Sequence, residues 1–165
     1  MRFVVDGMLG SLARWLRMLG YVAEYESNAD DNDLLRSSEK PETVLLTRDE
    51  ELYNRALGKR IRSVLILGST EEARLGLLAK TLGISLEIDM ASTRCPECGS
   101  ELHEISKTDA ANAVPAKSLD LYDRFWRCTN SNCGKTYWVG SHWKQIRHTL
   151  EGARKIASED KEMKC

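Results

Sequence analysis

The sequence predicts a parallel α/β domain in its first half, followed by a smaller cysteine-containing domain. Three observations support this fold class. Short apolar runs alternate with amphipathic helical segments up to about residue 90. All five cysteines lie beyond that point. Six of the eleven aromatic residues lie between 122 and 143, so the composition of the chain changes there as well.

Four apolar runs are typical of strands that are buried on both faces of a sheet. They lie at 2–6, 21–25, 43–47 and 63–67. Helical segments follow them at 9–19, 30–38, 49–57 and 70–82. In the first of these, apolar residues recur at spacings of three and four, as one face of a helix requires. Regular alternation of this kind predicts a parallel sheet flanked by helices.

The second half is less regular. Residues 106–118 are small and polar and predict a loop. From Gln145 onward the sequence predicts a charged helix that frays. We therefore divide the chain into a domain at 1–90, a second domain at 91–150 and a charged tail at 151–165.

Charge and hydropathy exclude some classes of protein. The 165 residues include 24 basic and 25 acidic ones, and the net charge of −1 excludes a globally basic nucleic-acid-binding protein. A balanced total still allows a local basic patch. No apolar run approaches the ~20 residues that span a bilayer. The first residues also lack a signal-peptide pattern. We expect a soluble, cytoplasmic protein without membrane contacts.

The cysteines form two close pairs. Cys95 and Cys98 are separated by two residues, Cys128 and Cys133 by four, and a glycine follows each pair. A tight turn lets two thiolates approach one ion, and the glycine permits the turn to close. Four thiolates form the closed tetrahedral site of structural zinc. Cys165 stands apart from both pairs and is not needed to complete the site.

Four aspartates are candidates for catalytic chemistry. Asp6 follows the first strand and Asp49 the third, while Asp30 and Asp31 open the second helix. In a parallel sheet the carboxyl ends of the strands share one edge, where ligands bind. Converging carboxylates suit Mg²⁺ or Mn²⁺, which activate water for phosphodiester hydrolysis. The alternative is that these side chains cap helices and face solvent.

Basic and aromatic residues suggest contacts with nucleic acid. Arg14 and Arg17 lie on the first helix away from its leucine face, and Arg48 adjoins Asp49. They can hold phosphates or form ordinary surface ion pairs. Between 124 and 148 cations alternate with aromatic residues, a mixture that suits single-stranded nucleic acid. The same aromatic residues can instead form the core of a small domain.

Several of these segments together resemble the Mut-7 C-terminal RNase domain family. The similarity includes the opening segment 3–21, the Asp30-Asp31 pair with its following leucines, and the segment Val44 to Asp49. It continues through the first cysteine pair and through the segment 133–143, and so covers nearly the whole chain up to Trp143. Members of this family are PIN-like domains followed by a zinc ribbon.

The resemblance implies a PIN-like parallel sheet and a metal-dependent ribonuclease. By position, the acids would be Asp6, Asp49 and one or both of Asp30 and Asp31, with Mg²⁺ or Mn²⁺ as the catalytic ion. Zinc would be structural. The RNA, expected to be single-stranded, would contact a basic and aromatic set comprising Arg14, Arg17, Arg48, Trp138 and His142. The chain departs from the family in its wide second cysteine pair. It also lacks a clear fourth acid, for which Glu71 and Glu72 are the nearby candidates.

Two other functions remain compatible with the sequence. One is an RNA-binding module that does not cleave. The other is a protein-interaction adaptor whose ribbon docks to an RNA-processing assembly. A nuclease acting on DNA is a close variant of the main prediction.

Overall fold

A computed structural model describes residues 1–159, which form two β-sheets. The four strands of the first sheet are all parallel. They are β1 (Arg2–Val5), β2 (Val22–Tyr25), β3 (Thr43–Thr47) and β4 (Ser63–Leu65). Their order in the sheet is β2-β1-β3-β4, so the connection from β2 to β3 crosses over β1.

Four helices alternate with these strands. They are α1 (Gly10–Met18), which follows a 3₁₀ turn at Gly7–Leu9, then α2 (Asp31–Ser38), α3 (Glu50–Gly58) and α4 (Glu71–Leu82). One apolar core joins α1 and α4 to one face of the sheet, and another joins α2 and α3 to the opposite face. β3 is buried at every position because both of its faces are covered. The predicted parallel sheet flanked by helices is confirmed.

Polar residues set the ends of these helices. Asp30, Asp49 and Thr70 each accept hydrogen bonds from backbone N–H groups in the first turn of α2, α3 and α4. Such caps satisfy donors that have no partner within the helix. At the other end of α4, Gly83 adopts the left-handed conformation with a φ of 69°, which ends the helix.

The second sheet is antiparallel and lies in the cysteine-containing region. Its small core consists of Ala110, Val114 and Phe125. The predicted loop at 106–118 is wrong in part, because one short helix and the start of another lie there. Ser106 caps the first of them. The elements are β5 (Leu102–Ile105), α5 (Lys107–Ala110), α6 (Ala116–Leu121), β6 (Phe125–Cys128) and β7 (Thr136–Tyr137).

After the second sheet the chain returns to the first domain as α7 (Trp143–Glu159). This helix packs along α4, and its Leu150 and Ala153 are buried in the core that contains α1 and α4. The helices approach closely at Gly76, where a Cβ would lie 2.7 Å from Ile156 Cγ2. The boundary that we placed at residue 150 therefore falls within a packed helix. The fraying expected from Gln145 onward is not observed through Glu159.

The rest of the predicted tail, 160–165, lies outside the described residues, and so does Cys165. In the described part of the chain, none of the helices combines the length and the apolar character needed to cross a membrane.

Candidate active site and metal centre

Two aspartates meet at the carboxyl edge of the parallel sheet. Asp6 directly follows β1, and Asp49 comes two residues after β3, the neighbouring strand. The buried Thr47 links them: its hydroxyl donates to Asp6 Oδ2 at 2.7 Å and accepts from the Asp49 backbone N–H at 2.9 Å. The strand order reverses between β1 and β3, and ligands of parallel α/β sheets bind at such a point.

Each of the other aspartate contacts has a structural role. Asp49 Oδ1 accepts from the N–H groups of Glu51 and Leu52 and so caps α3. Asp30 Oδ1 caps α2 in the same way. These caps use one carboxylate oxygen, and the second oxygen can still approach a cation.

Asp31 forms an ion pair instead of capping a helix. Its Oδ2 lies 2.7 Å from Arg55 Nη1, in an ion pair that joins α2 to α3. Arg55 lies six residues beyond Asp49, about 9 Å along the helix. Within residues 1–159, no three carboxylates are grouped closely enough to hold a metal ion as they stand. The structure thus brings Asp6 and Asp49 together, but it does not gather all four aspartates around one point.

Glu71 adds a third carboxylate beside this edge. It begins α4, after β4, which pairs with β3. Its Oε1 accepts from Arg74 at 2.7 Å, whereas its Oε2 is buried and has no hydrogen-bond partner within the described residues. A buried carboxylate oxygen without a partner is unfavourable. Its presence fits a site that is completed by a cation, and carboxylate oxygens are the ligands that Mg²⁺ and Mn²⁺ prefer.

The three predicted phosphate-binding arginines differ in exposure. Arg48 is exposed next to Asp49, and the Arg14 side chain is 59% exposed. Arg17 is only 4% exposed. Every nitrogen of its guanidinium donates to a backbone carbonyl, namely those of Ala23, Pro96 and Glu97. The expectation that Arg17 contacts phosphate is therefore wrong, because its donors join the edge strand β2 to the first cysteine turn.

The four paired cysteines lie close enough together to hold a metal ion. Their sulfur atoms all lie within 4.8 Å of one another. The Sγ atoms of Cys95 and Cys133 are 3.7 Å apart, and those of Cys98 and Cys128 are 3.4 Å apart. Four sulfurs at 2.3 Å from a tetrahedral zinc ion would be separated by about 3.8 Å. The wide spacing of the second pair is thus compatible with one closed four-cysteine site, and the donor set fits zinc.

The thiols of this centre differ in acidity. Burial acts to raise the pKa of Cys98, but hydrogen bonds from Ser100 and the neighbouring thiols outweigh it and lower the pKa to about 6. Burial raises the pKa of Cys128 to about 12. Binding of a metal ion to all four sulfurs requires thiolates and therefore releases protons.

Tyr137 contacts one of the four clustered cysteines. Its hydroxyl lies 3.2 Å from Cys95 Sγ. Burial and the hydrogen bond with Cys95 raise the pKa of this hydroxyl, which therefore keeps its proton and can donate a hydrogen bond to the Cys95 sulfur. Donors to metal-bound ligands orient those ligands and tune their charge.

We call the cysteine-containing region with strands β5, β6 and β7 the ribbon. Most of its aromatic side chains pack inward. Trp126 is 5% exposed. Trp138 is half-buried against Phe125, with ring centroids 6.5 Å apart. His142 is exposed, and together with Trp138 it lines a small apolar cavity of about 60 Å³ between the ribbon and α7. Of the two interpretations of these aromatic residues, a role in the core fits Trp126, which is buried. It fits Trp138 only in part, because this side chain is half-buried.

A comparison with models of protein families shows which family the chain belongs to. Residues 1–150 match the model of the Mut7-C RNAse domain. The chain belongs to the Mut7-C RNAse domain family. No curated protein matches it significantly, and no solved structure does.

The Mut7-C match covers the parallel sheet, the ribbon and the first half of α7. It thus includes both the Asp6–Thr47–Asp49 cluster and the four cysteines. The family is one of ribonuclease domains, and the resemblance inferred from the sequence motifs is confirmed. Two contacts in this region were not predicted, those made by Thr47 and Tyr137. The contact of Thr47 could have been expected from the sequence, because Thr47 ends an apolar strand just before Arg48 and Asp49.

Proposed function

We propose that this chain is a metal-dependent ribonuclease that hydrolyses phosphodiester bonds of single-stranded RNA in the cytoplasm. The observation that carries the proposal is the Thr47 hydroxyl, which fixes Asp6 and the backbone of Asp49 at the carboxyl edge of adjacent strands. The family match supports RNA as the substrate.

Asp6 and Asp49 would hold Mg²⁺ or Mn²⁺, with Asp31 and Asp30 as outer acids reached through water or movement of the loop before α2. The ion would activate water and stabilise the negative charge that develops on the phosphoryl oxygens. Thr47 engages Asp6 Oδ2, so Oδ1 would be the oxygen that binds the ion. The α3 cap does the same for Asp49. Glu71 is a further candidate ligand, because its buried Oε2 has no hydrogen-bond partner among residues 1–159.

Exposed cations and the ribbon would hold the RNA. Arg48 adjoins Asp49 and can contact the phosphate at the site of cleavage, and Arg14 can contact a neighbouring phosphate. Trp138 and His142 border the junction between ribbon and α7, where a base can stack. Zinc would fix this surface through the four cysteines.

The test is cleavage of a labelled single-stranded RNA in Mg²⁺ or Mn²⁺ by matched variants. We expect Asp6→Asn and Asp49→Asn to lose about 100-fold or more of the activity, because each removes a metal-binding charge. Thr47→Val should lose about tenfold, since it removes the hydrogen bonds that hold the Asp6 carboxylate and the Asp49 backbone. Asp33→Asn is the control, because Asp33 pairs with Arg36 on the exposed side of α2.

Zinc content and circular dichroism of each variant would exclude misfolding. Wild-type protein that binds RNA without cleaving it in either metal would contradict the enzyme and support the RNA-binding module. Weak RNA binding by a well-folded, zinc-loaded chain would favour the adaptor. Cleavage of DNA at the same rate would broaden the substrate class to nucleic acids in general.

A further inference from the structure

A carboxylate lies between two cations where the ribbon meets α1. Glu97 stands in the first cysteine turn, between Cys95 and Cys98. Its oxygens lie 3.4 Å from Arg14 Nη2 and 3.5 Å from Lys135 Nζ. Arg14 belongs to the parallel domain and Lys135 follows the second cysteine turn, so the two cations come from different domains.

This arrangement is open to solvent. The side chains of Arg14, Lys135 and Glu97 are 59%, 54% and 35% exposed. Exposed ion pairs of this length stabilise little, because water and salt screen them. Another anion can therefore replace the Glu97 carboxylate between the two cations. The turn that carries Glu97 is held in place, since buried Arg17 donates to the carbonyls of Pro96 and Glu97.

We propose that Arg14 and Lys135 form a phosphate-binding site for the RNA strand, which Glu97 occupies in the free protein as an internal competitor. The inference rests on the proposed ribonuclease function and adds Lys135 and Glu97 to the RNA contacts. α1 begins at Gly10, four residues after Asp6, so Arg14 lies one helical turn beyond the end nearest the acidic edge. A strand held there can extend from the acidic edge to the ribbon.

The competing explanation is that the two cations balance the charge of the metal centre. Zinc with four thiolates carries a net negative charge, which attracts nearby cations. In that case replacing Arg14 or Lys135 would weaken zinc binding and leave RNA binding unchanged. The two explanations therefore predict opposite results in two separate assays.

The experiment measures binding of a fluorescent single-stranded RNA to the zinc-loaded full chain without added Mg²⁺ or Mn²⁺. Glu97→Gln should tighten binding about threefold to tenfold, because it frees both cations. Arg14→Gln and Lys135→Gln should each weaken binding by a similar factor. Each should also reduce the slope of log K against log salt by about 0.7, the value for one lost phosphate contact on a single strand.

Glu39→Gln is the matched control. Glu39 pairs with Lys59 at 3.8 Å, the two side chains are 54% and 56% exposed, and the pair lies beside α2 and α3 on the opposite face of the sheet. It removes the same charge and should leave RNA affinity unchanged. Zinc affinity, measured by competition with a chromophoric chelator, should be equal in all variants.

The inference is overturned if Glu97→Gln binds RNA no better than Glu39→Gln, or if the cation variants change zinc affinity alone. Cleavage of RNA by wild type together with unchanged binding of the variants would overturn this inference and leave the proposed function standing. Altered binding as expected, without cleavage by wild type in Mg²⁺ or Mn²⁺, would support the phosphate site and contradict the enzyme.

Discussion

Arg14 and Arg17 show how far a single residue can be interpreted from the sequence. Both lie off the leucine face of α1, and helical periodicity treats them alike. Their environments differ because the ribbon covers Arg17 and leaves Arg14 in solvent. Burial lowers the pKa of Arg17, while the neighbouring thiolates of Cys98 and Cys95 act in the opposite direction. The contact comes from residues about 80 positions away, so local sequence holds no sign of it.

The burial of Arg17 leads to a stability prediction. Arg17→Ala should lower the free energy of unfolding by about 2–4 kcal/mol, because it removes the donor to the buried carbonyl of Ala23 and to the part-buried carbonyls of Pro96 and Glu97. Arg14→Ala should change it by less than about 0.5 kcal/mol, since its ion pair is exposed. Chemical denaturation of the zinc-loaded proteins measures both values. Equal values for the two variants would show that Arg17 does not join the domains energetically.

The acidic residues illustrate a second limit at this scale. The sequence predicted that Asp6 and Asp49 lie at one edge of the sheet, because parallel topology fixes that relation. That their strands β1 and β3 are neighbours is known only from the structure. The sequence could not distinguish a cap from a metal ligand, and Asp49 and Asp30 do cap helices. One carboxylate can serve both as a cap and as a metal ligand, because the cap uses only one of its two oxygens. The Thr47 hydroxyl that joins Asp6 to Asp49 depends on side-chain geometry, which periodicity does not describe.

At the scale of elements, the sequence predicted the strands and helices of the first domain to within about two residues, and the largest difference is the end of β4. Strong apolar periodicity and polar caps at Asp30, Asp49 and Thr70 explain this success. The short helices α5 and α6 were missed in part. Their four and six residues are too few to show a helical period.

Helix α7 was expected to fray because its sequence is strongly charged. Its Leu150 and Ala153 are buried against α4, and that packing stabilises a helix whose own sequence would not. Leu150→Ala should lower the free energy of unfolding by about 2–4 kcal/mol through the cavity that it creates. Lys155→Ala, on the exposed side of the same helix, should have an effect below about 0.5 kcal/mol. Thermal or chemical denaturation distinguishes the two, and a frayed helix would give the same small change for both.

For the whole molecule, the order of segments along the chain differs from their arrangement in space. The ribbon is inserted between α4 and α7, two helices that pack on each other. Sequence composition located the ribbon through its cysteines and aromatic residues. The composition of α7 does not show that this helix packs on the first domain, because it is as rich in charged residues as an exposed tail. Only the apolar residues at helical spacing indicate that it packs.

This insertion predicts the response of the molecule to loss of zinc. Among the described residues, the apolar core cluster of the ribbon is small (Ala110, Val114 and Phe125), whereas the parallel domain has two larger core clusters of its own. We therefore expect the stability of the ribbon to depend on metal binding. A chelator should therefore abolish amide protection in β5 and β6 and leave it intact in β1, β3 and α7, which hydrogen-exchange mass spectrometry can resolve. Re-addition of zinc should restore the ribbon. Protection lost throughout the chain would instead mean that the Arg17 contacts with the first cysteine turn make the two domains one cooperative unit.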